Sequence, residues 1–417
     1  PGKTGLLIGI GGVSMSPLAE VLHDAGLDIR GSDMAESSNT LTLRERGIPI
    51  HIGHSADNVT DDISFVIRTA AVHDDNPEVH EAHRRGIPVF ERTQAWGALM
   101  RGYQNALCIS GTHGKTTTTS MCTHIMMAAE KDPTVMIGGT LPLLKACHRV
   151  GKGNTIIMES CEYYNSFLAL NPTIAVVLKI EADHLDFFKD LEDIKHSFRC
   201  FAERVPAETG TVIANYDDAN TMDALRGIAR KVITFGLNAK ADVYAQNIVH
   251  RGSVSEFDIY HRGNYFARVT LHVPGIHNVR NALAATAAAI VLGVSPNAVK
   301  YGLAGFEGAG RRFDFKGKFQ GADLYDDYAH HPSELRALLD AVDTLNYQRT
   351  IVVFQPHTYS RTAKLFNDFV EQLRRPTIVY LAEIYAAREK NTIGISSADL
   401  AAQIPGAKFY PTFAEIE

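Results

Sequence analysis

The residues best placed to do chemistry stand in one run, Ser110-Gly111-Thr112-His113-Gly114-Lys115-Thr116-Thr117-Thr118-Thr119. It follows the apolar stretch Ala106 to Ile109 and precedes Ser120-Met121-Cys122-Thr123-His124-Ile125. Strand, glycine turn, Lys-Thr and helix make the layout of a phosphate-binding loop. Backbone N–H groups freed by the glycines surround phosphate oxygens, the Lys115 ammonium bridges the terminal ones, and the Thr116 hydroxyl holds Mg²⁺. The expected ligand is a nucleoside triphosphate, most simply ATP; ATPase, kinase, GTPase and ligase chemistry all stay open. The usual eight-residue pattern would put a glycine at Ile109, so this is a shortened loop.

A second glycine turn lies near the N-terminus. The strand Gly5 to Ile10 runs into Gly9-Ile10-Gly11-Gly12-Val13-Ser14, a helix reaches about Ala25, and the strand Leu27 to Arg30 ends in Gly31-Ser32-Asp33. This βαβ pattern seats a pyrophosphate on a helix N-terminus and a ribose on the acid. Ser14 replaces the third glycine of the dinucleotide fingerprint, and a nicotinamide site and a nucleotide-sugar site fit the residues equally.

Acids, histidines and arginines gather where other strands should end. Thr155 to Met158 leads to Glu159, and Thr173 to Ile180 leads to Glu181, Asp183 and His184. Mg²⁺ on a nucleotide takes one or two protein oxygens, which Thr116 and Glu159 would supply. His184 has no second histidine or cysteine at zinc-ligand spacing, so a second Mg²⁺ is its better functional reading and a hydrogen-bonded core histidine the alternative. Arg311 and Arg312 read either as a solvated hinge pair or as a guanidinium brought to the γ-phosphate from another domain. Asp326, Asp327, His330, His331, His357 and Arg361 follow two further strands and suit a pocket for a small zwitterion or its carboxylate.

At 417 residues the chain exceeds one comfortable core and is expected to form three domains. The fold class is α/β throughout. A Rossmann-like first domain spans 1–102, a central phosphate-loop α/β domain 103–307, and a Rossmann-like C-terminal domain 308–417. In the central domain, Asp242 to Val273 alternates as antiparallel strands do, and Pro274-Gly275-Ile276-His277-Asn278-Val279-Arg280-Asn281 opens an alanine-rich helix, Ala282 to Leu292. The third domain repeats strand and helix from Ala322 to Tyr325, Thr350 to Phe354 and Ile378 to Leu381, the last strand leading into a charged turn, Glu383 to Glu389. A formal charge of −6 argues against bulk nucleic-acid binding, and no apolar run approaches the roughly 18 residues of a membrane span. Cys108, Cys122, Cys147, Cys161 and Cys200 are scattered and odd in number, which favours free thiols in a reducing cytosol. A start at Pro1 implies a lost initiator. Phe413-Ala414-Glu415-Ile416-Glu417 reads as the beginning of a helix whose unit continues further.

Gly111 to Thr117, Glu181-Ala182-Asp183-His184, His277-Asn278-x-x-Asn281, Gly310-Arg311-Arg312-Phe313 and Asp327-Tyr328-Ala329-His330-His331-Pro332 together resemble the Mur ligases of peptidoglycan synthesis. Gly9-Ile10-Gly11-Gly12 and Phe354-Gln355-Pro356-His357-Thr358-Tyr359-Ser360-Arg361-Thr362 extend the likeness over the whole chain and narrow it to one branch. The resemblance implies that Gly11, Gly12, Ser14 and Asp33 bind the UDP of UDP-N-acetylmuramate. It places Gly111, Thr112, His113, Gly114, Lys115, Thr116, Thr117, Asn278, Asn281, Arg312 and Asp327 about ATP. Thr116 and Glu159 would hold one Mg²⁺ and His184 a second.

 His330, His331, His357 and Arg361 face the amino acid, and Lys115, His184, Arg312 and His331 are the implied catalytic set, with Glu159 beside Thr116 on the metal. The implied reaction joins L-alanine to the lactoyl carboxylate of the sugar through an acyl phosphate, in a cytoplasmic monomer or weak homodimer that engages no nucleic acid and no membrane.

Three departures from the family pattern stand out. Glu159-Ser160-Cys161-Glu162-Tyr163-Tyr164 occupies the place of the common Glu-x-Asp-Glu-Ser-Asp, Lys179 stands where asparagine is usual, and the family usually continues beyond Glu417 with a strand and a Gly-rich turn. Competing readings are a ligase that recycles murein tripeptides, folylpolyglutamate synthase, a nucleotide-binding scaffold without catalysis, and an NAD-dependent dehydrogenase suggested by Gly9 to Asp33 alone.

Overall fold

The computed structural model describes residues 2–69, 71–387 and 389–416. Arg388, part of the third charged turn, lies outside the described residues, as do Pro1, Ala70 and Glu417. The N-terminal unit runs β1 (Thr4–Ile8), α1 (Ser16–Asp24), β2 (Asp28–Asp33), α2 (Ser38–Glu45), β3 (Ile50–Ile52), β4 (Phe65–Arg68), α3 (Pro77–Arg84), β5 (Val89–Glu91) and α4 (Arg92–Met100). Its strands lie in the order β3-β2-β1-β4-β5, each neighbouring pair parallel. Leu6, Leu7 and Ile8 of β1 are fully buried, as a parallel strand covered by helices on both faces requires. The order reverses beside β1, so the glycine turn that follows it opens into the crevice where such sheets take ligands.

The central unit contains β6 (Asn105–Ser110), α5 (Lys115–Ala128), β7 (Thr134–Leu141), β8 (Ala146–Arg149), β9 (Thr155–Glu159), β10 (Ile174–Val177), α6 (Leu191–Glu203), β11 (Thr211–Asn215), α7 (Ala219–Ala224), β12 (Lys231–Gly236), β13 (Val243–Arg251), β14 (Val254–His261), β15 (Asn264–Leu271), α8 (Ile276–Val291) and α9 (Pro296–Ala304). One sheet joins its strands in the order β15-β14-β13-β12-β11-β10-β6-β9-β7-β8. The expected antiparallel stretch is the meander β13-β14-β15. β6 lies between β10 and β9, parallel to both, which brings the phosphate loop, Glu159 and the segment after β10 to one sheet edge. That segment leaves the sheet sooner than the apolar run suggested. The Ile180 N–H donates to Asp218 Oδ2 at 3.1 Å and the Glu181 N–H to Thr112 Oγ1 at 3.0 Å, so side chains replace the strand ladder there.

The C-terminal unit comprises β16 (Asp314–Phe319), β17 (Ala322–Asp326), α10 (Pro332–Asp343), β18 (Ile351–Phe354), α11 (Tyr359–Lys364), α12 (Phe366–Leu373), β19 (Ile378–Ala382), α13 (Ser397–Gln403) and β20 (Lys408–Tyr410). β18-β19-β20 form a parallel sheet, but β17 does not join it as the repeated strand-helix reading expected. It pairs with β16 in an antiparallel hairpin. The hairpin turns at Gln320 (φ 48°) and Gly321 (φ 85°), and positive φ at both central residues is the turn whose twist matches two adjoining strands. At the chain's end, the expected helix start is a single 3₁₀ turn, Phe413–Glu415.

The units meet in two ways. Trp96 and Met100 of the N-terminal unit share one buried apolar cluster with Phe167 and Leu170 of the central unit. The C-terminal unit keeps a separate core of Leu335, Phe354, Phe369, Leu373, Leu381 and Leu400 and reaches the central unit through polar side chains. An apolar contact holds domains together more firmly than a polar one of similar extent, so relative motion belongs at the second junction.

Candidate functional site

The phosphate loop is shaped by Gly114 at the N-cap of α5, where φ is 85° and an added Cβ would lie 2.7 Å from Asn281 Oδ1. Lys115 is drawn back beneath the loop. Its ammonium donates to Gly111 O at 2.6 Å and to Glu162 Oε2 at 2.8 Å. Burial pushes this lysine toward neutrality, but the Glu162 carboxylate outweighs it and raises the pKa. Thr116 Oγ1 donates to Glu159 Oε1 at 3.0 Å, and the Gly138 N–H holds the other carboxylate oxygen at 2.6 Å. A hydroxyl and a carboxylate oxygen at that spacing are hard donors of the kind Mg²⁺ selects.

A cavity of about 480 Å³ opens over this loop, lined by His113, Gly114, Thr116 and Thr117 on one side. Asn278, Asn281, Arg312 and Asp327 face them from the other. Asn278 is buried and donates to Pro274 O at 2.7 Å, while Arg312 stacks over Tyr328 with its guanidinium carbon 5.3 Å from the ring centre. Asp327 accepts from the Phe313 and Ala329 N–H groups at 2.8 and 2.7 Å, which fixes the strand end that carries Arg312.

His113 joins the central and C-terminal units. Its Nε2 lies 2.9 Å from Glu181 Oε2 and its Nδ1 3.0 Å from Glu334 Oε1. Burial alone would lower its pKa, but the two carboxylates raise it to about 9 and are themselves held below their usual range. Glu334 is placed by a helix start: Pro332 occupies the first turn of α10 and Glu334 reaches back to the His331 N–H at 3.2 Å, a capping box. Ser333 Oγ donates to Glu181 Oε2 at 2.7 Å. Because the folded-state pKa of His113 lies above the unfolded imidazole value, its stabilising effect is complete below pH about 6.5 and is lost as pH rises through about 9. The facing groups are Glu181, Glu334, His331 and Ser333, with Lys179 paired to Glu181 and Arg312 at 4.0 Å from Glu334. We expect the C-terminal unit to become more susceptible to proteolysis, and the scattering envelope to expand, between pH about 7 and about 10. An unchanged cleavage rate over that range would count against the charged His113 as the link between the two units.

The sequence grouped His330 with His331, but the structure separates them. The His330 ring neighbours His357 at 5.6 Å, whereas His331 faces His113 at 4.9 Å. His331 is buried, its pKa is lowered to about 4 by burial and then by His113, and its Nε2 has no partner among the described residues. Arg361 donates through Nε and Nη2 to Asp183 Oδ1 at 3.1 and 2.8 Å and through Nη1 to His357 Nδ1 at 3.0 Å. His184 adopts φ 51°, with Nε2 3.8 Å from Asp183 and 3.9 Å from Glu162. Asp183, His184, His357 and Arg361 line a second cavity of about 850 Å³.

Residues of all three units line this second cavity, Arg92, Asp183 and Arg361 among them, and each unit matches a protein-family model. The family model "Mur ligase family, catalytic domain" matches residues 7–104, "Mur ligase middle domain" 109–289, and "Mur ligase, glutamate ligase domain" 311–416. This chain belongs to the Mur ligase family. Within that family it is 46% identical to the UDP-N-acetylmuramate--L-alanine ligase of Agathobacter rectalis, over 98% of this chain and 90% of the relative. It is 45% identical to the enzyme of the same description from Caldicellulosiruptor saccharolyticus, over 94% of this chain and 86% of the relative. Among solved structures, the UDP-N-acetylmuramate-alanine ligase of Thermotoga maritima superposes with a TM-score of 0.79 at 29% identity, covering 99% of this chain and 91% of that one. A murein peptide ligase from Psychrobacter arcticus shares the fold, with a TM-score of 0.71 at 22% identity over 100% and 92% of the two chains.

In this Mur ligase the N-terminal glycine turn is closed by its own acid. Asp33 Oδ2 accepts from the Gly11 N–H at 2.8 Å, and Asn39 donates to Gly11 O at 2.8 Å, so the carboxylate first shapes the turn. Gly12 follows in the same turn, its N–H bonded to Gly9 O at 3.1 Å. Ser14 Oγ is contacted by Arg92, a residue the sequence reading passed over. Its signal was available, since Arg92 follows the end of β5 as the other charged turns follow their strands. Glu162, Ser333 and Glu334 were likewise missed as partners. No helix is long and apolar enough to cross a membrane, among the described residues. The five cysteines are free.

Proposed function

We propose that this Mur ligase joins L-alanine to the lactoyl carboxylate of UDP-N-acetylmuramate, driven by ATP, in the cytoplasm as a monomer or weak homodimer. The observation that carries the reading is the seat of Arg361, from the C-terminal unit, on Asp183, in the same loop that presents Glu181 and His184 beside the phosphate loop. The loop Glu181 to His184 thereby links the phosphate-loop side to the cavity that holds the Arg361 guanidinium.

The geometry supports the following roles. Gly11, Gly12, Ser14 and Arg92 receive the UDP end, and the cavity beside Asn278 and Asn281 receives ATP. The lactoyl carboxylate attacks the γ-phosphate to give an acyl phosphate and ADP. Lys115, the protonated His113 and Arg312 neutralise charge that spreads over the phosphoryl oxygens, the largest contribution a protein makes to such transfers. Thr116 and Glu159 would hold one Mg²⁺, with His184 toward a second ion; when bound, Mg²⁺ supplies further charge neutralisation. The alanine carboxylate then meets Arg361 and His357, its amine attacks the acyl carbon, and the tetrahedral intermediate expels phosphate to leave an amide. A free carboxylate is a poor acyl donor, which is why phosphorylation comes first.

The test is phosphate release with UDP-N-acetylmuramate, ATP, Mg²⁺ and each amino acid supplied singly. Turnover is expected with L-alanine, and with serine or glycine at about 10- to 200-fold lower efficiency, the range that one small group commonly decides. Silence with every amino acid would sink the ligase reading.

A further inference from the structure

After β9 the chain turns sharply and presents aromatic rings to the larger cavity. Tyr164 (φ 52°, ψ 26°) and Asn165 (φ 55°, ψ 24°) are consecutive non-glycine residues in the left-handed region, a backbone that persists only where surrounding contacts enforce it. Asn165 is tied down by Ser197. Tyr163 is fixed by stacking on His184 at 4.4 Å and by donating its O–H to Asp186 Oδ2 at 2.5 Å. Its ring lies 4.3 Å from that of Tyr164, which in turn lies 4.8 Å from Phe187. Tyr164 is nevertheless 63% exposed and lines the cavity of about 850 Å³. The strained turn therefore holds an aromatic face toward the cleft when burial would have been the easier outcome.

We propose that Tyr163 and Tyr164, backed by Phe187, form a shelf for the pyranose ring of the sugar nucleotide, a specificity element that rests on the function proposed above. A gluco-configured pyranose carries its hydroxyl, amide and ether groups around the rim and leaves C–H bonds on its faces, which pack on aromatic rings. Position selects the sugar over the base. The sugar bears the carboxylate that must reach Lys115, and Glu162, the partner of Lys115, immediately precedes Tyr163. The base lies a diphosphate away, toward the glycine turn. Arg92, which lines the same cavity and contacts Ser14 of that turn, marks the path between them.

Calorimetry with the full chain tests the shelf by comparing UDP-N-acetylmuramate with UDP. Tyr164→Ala should weaken UDP-N-acetylmuramate about 3- to 10-fold, the range of one aromatic contact, and leave UDP unchanged. Tyr164→Trp, which keeps an aromatic face, should stay within about 2-fold of wild type for both. Equal weakening of both ligands, or weakening of neither, overturns the proposal. Wild-type turnover separates the two readings: binding of the sugar nucleotide with no amino acid used would sink the ligase assignment alone, whereas normal turnover with an unaffected Tyr164→Ala would sink the shelf alone.

Discussion

Lys115→Ala should lower turnover by about 10³-fold or more while binding of UDP-N-acetylmuramate, read by calorimetry, persists. The separation follows from placement: Lys115 belongs to the loop after β6, and the glycine turn belongs to the N-terminal sheet. The same substitution has a structural effect that a purely catalytic lysine would lack. Glu162 is nearly buried, with a side chain 3% exposed, and Lys115 is its paired cation. Removing one member of a buried pair costs about 3–5 kcal/mol, chiefly because the other charge is left without compensation. The variant should therefore melt several degrees lower as well as lose activity. Adding Glu162→Gln to it removes the stranded charge, so the double variant should recover most of the thermal stability and none of the turnover. Recovery of turnover, or joint loss of sugar-nucleotide binding, would show that the lysine is not the phosphate group's partner.

What was legible in the sequence was local. The phosphate loop and the N-terminal glycine turn are short runs whose residue types dictate their backbone, and Glu159, Glu181 and Asp183 could be placed because strand ends of parallel sheets face the ligand crevice. The partners were not legible, because their contacts span 47 residues from Lys115 to Glu162, 78 from Ser14 to Arg92, and 221 from His113 to Glu334. Nothing in spacing reports a pairing at that distance. Two local features of the structure are hidden in the sequence for definite reasons. The hairpin of β16 and β17 is masked because Gln320-Gly321 is not one of the strong two-residue turn pairs, so Ala322 to Tyr325 reads as one more strand of a repeating unit. His330 and His331 are adjacent in the sequence, yet His331 has extended dihedrals (φ −118°, ψ 145°), and successive side chains on extended backbone point to opposite sides, which spacing alone does not reveal.

Arg361 carries the second large effect. Its side chain and that of Asp183 are 9% and 7% exposed, and the guanidinium holds the carboxylate well below its usual range although burial would raise it. His357, lowered to about 4 by burial and then by Arg361, is neutral and accepts a guanidinium N–H at Nδ1. Asp183 and His357 thus orient the fork, and in the proposed function the one Nη2–H left over meets the carboxylate of the incoming amino acid. Arg361→Lys keeps the charge but cannot make two directed bonds to Asp183 and a third to His357, so charge alone should not rescue it. We expect kcat/KM for L-alanine to fall about 10²-fold or more in Arg361→Lys, with the KM for ATP within about 2-fold of wild type. The split between constants distinguishes two physical roles. A rise in KM for alanine with kcat preserved places the lost energy in carboxylate recognition. A fall in kcat with KM unchanged would instead assign Arg361 to closure of the C-terminal unit onto Asp183, and would move alanine recognition to other groups of the cavity.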